Sequence, residues 1–157
     1  MSPESFEELK ISNLKNMKNI MITFDDGYKS VKNILNILDE YNIKKIFFII
    51  YDFCMISDES KTKKFIQNNI CPNSFNSKLI SEKNLNVDDI KDLINKGHTI
   101  GYHTKSHLDL AKIENYEVLK EEIESSLQKF EEKLGGYKIK HFSFPFGSLN
   151  NINKPSL

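Results

Sequence analysis

Asp25 and Asp26 stand side by side before Gly27, and His103 and His107 lie four residues apart much further along the chain. Neighbouring carboxylates at a buried strand mouth repel each other unless a proton or a cation lies between them. One could then hold a metal ion while the other works as a base. Two imidazoles four residues apart can converge on one ion from a helix face or from a loop. With one carboxylate they would form a three-ligand site with an open position, the pattern of catalytic zinc and one suited to hydrolysis. Read singly, the Asp-Gly pair also fits an ordinary turn, and the two histidines also fit an exposed helix start. The other two histidines read as structural, His98 near a helix end and His141 opening a strand.

The elements that would position these groups alternate. Asn19 to Phe24 is a nearly all-apolar run that predicts a buried strand, with Gly27 supplying backbone freedom in the turn beyond it. Val31, Ile34, Leu35, Leu38 and Tyr41 then repeat at helical spacing. Lys45 to Ile50 predicts a second strand. Asp52 to Lys83 lacks a sustained period and reads as a long excursion with one short helix near residues 62–68. Asn86 is a good N-cap, with Asp88 and Asp89 in the first turn, Ile90, Leu93 and Ile94 as the buried stripe and Gly97 as the stop. His98 to Tyr102 predicts a third strand. Residues 115–134 predict one long helix with Tyr116, Leu119, Ile123, Leu127, Phe130 and Leu134 on its inner face, and its Glu-Lys pattern reads as solvated. Lys140 to Phe144 predicts a fourth strand. Such alternation argues for parallel strands with helical crossovers, an α/β architecture. Each polar cluster then sits at the carboxyl end of a strand, and in parallel α/β folds those ends share one face.

Composition narrows the classes. Lys plus Arg number 22 and Asp plus Glu number 22, so no global charge draws the chain to nucleic acid or to an anionic membrane. The longest apolar run, Ile46 to Tyr51, is far short of the ~20 residues that span a bilayer. Cys54 and Cys71 are too few for a disulfide framework and read as reduced thiols. The opening residues carry no basic cluster with an apolar stretch behind it, so a cytoplasmic protein is expected, and the length fits one domain over residues 1–157.

The motifs together resemble the polysaccharide deacetylases, the chitooligosaccharide-deacetylase homology domain. Thr23-Phe24-Asp25-Asp26-Gly27 matches that family's first motif throughout, and His103-Thr104-Lys105-Ser106-His107 matches its second. Phe142-Ser143-Phe144-Pro145-Phe146-Gly147 is similar to its third, Asp88 to Gly101 is similar to the approach to the second, and Ser2 to Phe6 is similar to a bacterial lead-in. The resemblance implies Asp25 as general base and Asp26, His103 and His107 as ligands of a divalent metal, usually zinc. It implies the backbone N–H of Phe146, with Pro145 beside it, as the oxyanion and substrate contact. The implied reaction hydrolyses an N-acetyl group on the amino sugar of a glycan, glycolipid or precursor and releases acetate.

The family pattern is departed from twice. Where many members carry an arginine that orients the base, this chain has Ser143, and no histidine follows His141 to serve as the late general acid. The family fold is a distorted seven-stranded (β/α) barrel, of which about four strands can be placed here. An incomplete barrel is therefore expected, as a fragment, as a chain completed by a partner or swapped copy, or as a smaller open sheet that stands alone. Two alternatives accompany the deacetylase expectation: a truncated remnant that binds metal or a partner without turnover, and a hydrolase of another amide, ester or cyclic imide.

Overall fold

Short β-branched and aromatic runs become the strands, and apolar periods the helices packed on them. A computed structural model describes residues 21–72 and 77–152 of the chain. The lead-in at Ser2 to Phe6 and the Asn19–Ile20 start of the first predicted strand lie outside those residues. Strands β1 (Ile22–Phe24), β2 (Lys45–Ile49) and β3 (Thr99–Tyr102) form a three-stranded sheet in the order β1-β2-β3. Both pairings are parallel, with Phe24 opposite Phe47 and Phe48 opposite Gly101. The α/β class and the crossovers thus hold.

One face of the sheet carries the main core. Phe47, Ile49, Ile100 and Tyr102 pack there with Leu35, Leu85, Ile90, Leu93 and Phe130. Burying each such side chain contributes roughly 1.5–3 kcal/mol. Helix α1 (Lys32–Glu40) crosses from β1 to β2, but of its apolar stripe only Leu35 is buried. Ile34 lines an open apolar cavity of about 280 Å³ with Phe24, Val31 and Phe47, and Tyr41 is exposed.

The excursion is more ordered than its composition predicts. It contains α2 (Tyr51–Met55), α3 (Glu59–Phe65) running into a π turn (Ile66–Ile70), and the short α4 (Ser77–Ile80). Ile50, Phe53, Ile66 and Ile70 bury one another in a second, smaller core. Next, α5 (Val87–Asn95) begins with a capping box in which Asn86 accepts from the Asp89 N–H at 2.8 Å and Asp89 accepts from the Asn86 N–H at 3.2 Å. Asp89 also pairs with Lys29 at 2.9 Å and Lys32 at 2.6 Å, tying α5 to α1.

Two further predicted elements differ. The long helix exists but is broken by a π turn (Glu121–Ser125) between α6 (Tyr116–Lys120) and α7 (Ser126–Lys133). The extra residue in that turn shifts the helical phase, so Glu122 rotates inward and is only 4% exposed, while Tyr116 is exposed. The solvated-face reading fails for Glu122. The fourth strand reduces to one parallel bridge, Tyr102 with Phe142, because the Ser143 carbonyl turns to a histidine instead of extending the ladder.

Candidate metal centre

Sequence and sheet geometry together explain why the four chemical side chains meet. The chain leaves β1 at Asp25 and turns back through Asp26 at φ 70° and Gly27 at φ 92°. Aspartate is among the few non-glycine residues that tolerate the left-handed region. The chain leaves β3 at His103, whose N–H donates to the Ile49 carbonyl at 3.0 Å and so extends the ladder by one bond. A tight loop follows, with Thr104 at φ 64° and His107 at φ 62°. It is closed by the His107 N–H donating to Thr104 Oγ1 at 3.0 Å.

Asp26 Oδ1 lies 3.4 Å from His103 Nε2 and 3.4 Å from His107 Nε2. One donor atom from each residue lies within 4.8 Å of the other two, a spacing that a single divalent ion can occupy. Both imidazoles are buried and turned the same way. Nδ1 of His103 is 2.8 Å from the Ser143 carbonyl, and Nδ1 of His107 is 2.9 Å from the Asn69 carbonyl. A carbonyl can only accept, so each Nδ1 carries the proton and each Nε2 presents its lone pair to the centre. This outer hydrogen bonding is typical of metal-ligating histidines. The donor set fits a zinc-like ion.

The electrostatics follow from the same contacts. Burial opposes protonation of His103, but the Asp26 carboxylate and the Ser143 carbonyl outweigh it and hold its pKa above the usual value. Burial pulls His107 below its usual value, with the neighbouring His103 adding to that, although Asn69 and Asp26 act against it. Burial pushes Asp25 above the ordinary carboxylate range; the histidines act against that and Asp26 adds to it.

These groups open into a cleft of about 360 Å³ lined also by Ile70, Cys71, Phe144, Phe146 and Gly147. The Phe146 ring packs on His107 with centroids 4.7 Å apart, and its backbone has φ 65°. Pro145 is buried behind this lip and does not line the cleft. Sequence reasoning missed Asn69 and Glu122, and it knew Ser143 only as a missing arginine. A backbone carbonyl leaves no signature in residue type, and Asn69 lay in the excursion read as irregular. His98 is where a structural reading puts it, away from the cleft, with Nε2 3.4 Å from Asp39 Oδ1.

The sequence profile of the polysaccharide deacetylases matches residues 13–155. The chain belongs to the polysaccharide deacetylase family. It is 29% identical over 139 residues to the peptidoglycan-N-acetylglucosamine deacetylase of Bacillus cereus, covering 85% of this chain and 38% of that protein. Its fold matches that of the Streptococcus pyogenes deacetylase PplD, solved with acetate, at TM-score 0.71 and 20% identity over 99% of this chain and 57% of that one. IcaB from Ammonifex degensii matches at TM-score 0.66 and 19% identity, covering 96% of this chain and 61% of that one. The chain thus has the (β/α) barrel fold of these neighbours with a partial sheet, and it spans less than two thirds of each relative's length.

Proposed function

We propose that this chain is a zinc-dependent hydrolase that removes N-acetyl groups from an amino sugar in a glycan or glycan precursor. The observation that carries the reading is the convergence of Asp26, His103 and His107 beside the unligated carboxylate of Asp25 in one cleft. Family membership and the likeness to a peptidoglycan deacetylase support the substrate class.

Bound to these three side chains, zinc would supply Lewis-acid polarisation of the acetamide carbonyl and activation of the attacking water. Asp25, which lines the cleft beside these ligands, would take a proton from that water as general base. Asp26 and the two Nε2 atoms would hold the ion, while the Asn69 and Ser143 carbonyls fix the tautomer and aim of each ring. The Phe146 backbone N–H donates to the developing oxyanion, a role set by position at the lip of the cleft rather than by side chain. The leaving amine must gain a proton, and Asp25, having taken one from the water, is the group in the cleft that can return it. A second chain that completes the sheet, and a cytoplasmic site of action, belong to the same proposal.

The test is acetate release from N-acetylglucosamine oligomers by zinc-loaded protein, with the Asp25→Asn variant alongside. Release that depends on zinc and on Asp25 supports the reading. A chain that binds zinc and releases no acetate from any acetylated sugar is instead a metal-binding remnant. The partial sheet is the feature that favours that second reading.

A further inference from the structure

We propose that Glu122 is a positioning residue for the metal centre, a clamp that sets the loop carrying both histidines without touching the ion. This deepens the proposed function and rests on Asp26, His103 and His107 binding a metal. Both carboxylate oxygens of Glu122 are spent on that loop. Oε2 accepts from the Ser106 N–H at 3.0 Å, and Oε1 accepts from the Ser106 hydroxyl at 2.6 Å. The Glu122 backbone carbonyl accepts from the Lys105 N–H at 3.0 Å and from the Tyr102 hydroxyl at 2.9 Å. One residue thus grips Tyr102, Lys105 and Ser106, which bracket His103 and precede His107.

The π turn is what makes this possible. A regular α-helix would engage the Glu122 carbonyl four residues on and would turn the side chain outward. The widened turn points both at the loop, and the Ser126 hydroxyl satisfies the neighbouring Glu121 carbonyl at 2.6 Å. Single-turn π bulges gather at functional sites for this kind of reason. The loop needs such a clamp because Thr104 and His107, neither a glycine, hold left-handed backbone. Such conformers persist only where surrounding bonds over-determine them. On the other flank, the π turn that follows α3 lends Asn69, whose carbonyl meets His107 and whose amide donates to the Ser106 carbonyl at 2.8 Å. Two bulged helices therefore hold one five-residue loop between them.

Cobalt(II) is the probe, because its visible spectrum reports ligand geometry independently of turnover. Its dissociation constant is measured calorimetrically on folded protein, with folding checked by circular dichroism. Loss of an outer partner of a metal site typically weakens binding by 10–100-fold. Glu122→Ala is expected to do so and to alter the cobalt spectrum. Glu122→Gln, which keeps an acceptor, should recover most of the affinity, and Glu124→Ala, exposed in the same turn, should change neither readout. If Glu122→Ala does not fold, Ser106→Ala removes the 2.6 Å bond from the loop side and should weaken cobalt binding several-fold. Wild-type affinity in folded Glu122→Ala, or in Ser106→Ala, overturns the clamp and leaves the metal centre standing. A wild-type chain that takes up no cobalt defeats the metal centre, and the clamp with it.

Discussion

Replacing Asp26 with asparagine tests the metal centre while leaving the backbone at ease. Asp26 sits at φ 70°, where alanine would be strained but asparagine is at home. The substitution keeps the shape and removes the anion that faces both Nε2 atoms at 3.4 Å. Zinc that binds only the folded chain stabilises it by about 2.7 kcal/mol at a free concentration a hundred times the dissociation constant. For a chain of this size, each kcal/mol moves the melting temperature by roughly 2–4 °C, so wild type should gain about 5–11 °C. If losing the anionic ligand weakens binding a hundredfold, the same zinc concentration equals the new dissociation constant. The gain then falls to about 0.4 kcal/mol, or roughly 1 °C. Differential scanning fluorimetry with a zinc titration measures both curves. Equal zinc-induced shifts in wild type and Asp26→Asn would refute the three-ligand reasoning.

Three other outcomes follow from named contacts. Because the Asp25 pKa is raised in the fold, its contribution to stability is full below the unfolded pKa and is lost as pH rises through the folded one. Asp25→Asn should therefore raise the melting temperature of metal-free protein at neutral pH, while lowering turnover by about 10²–10⁴-fold. Gly101→Ala places a methyl group against the Phe48 ring and should cost about 1–3 kcal/mol in urea unfolding, with part of the loss recovered by adding Phe48→Leu. Burial raises the Cys54 thiol pKa and shields it, whereas Cys71 lines the cleft, so a thiol reagent should label Cys71 in the folded chain and Cys54 only on denaturation. Equal labelling rates for the two would contradict that placement.

Asp25, Asp26 and His103 were legible because they lie just beyond short apolar runs, with His107 four residues on from His103, and parallel strands deliver their carboxyl ends to one side. The N-cap at Asn86 was equally readable, since its bond is local, and the structure adds the return bond to Asp89. What escaped was non-local or phase-shifted. Ile66 and Ile70 are one helical turn apart, but Phe53 meets them from a separate short helix, so the excursion's small core leaves no sustained repeat to detect. Glu122 sits in a run of charge that any uniform 3.6-residue wheel assigns to solvent, and only the inserted residue of the π turn reverses that. The fourth strand failed for a similar reason: its propensity was sound, but Ser143 spends its carbonyl on His103 rather than on a neighbouring strand.

The contact of Phe48 with Gly101 reaches beyond local packing. The ring lies where any side chain on that residue would have to stand, so it works like an indexing pin in a notch. Sliding β3 by one residue would force Ile100 or Tyr102 under the ring and reverse which face each presents. The height of His103 above the sheet is thereby quantised: the imidazole is seated or absent, with no intermediate setting. Substitutions that loosen this part of the sheet should accordingly yield mixtures of fully competent and wholly inert molecules, rather than a uniform population of weakened ones.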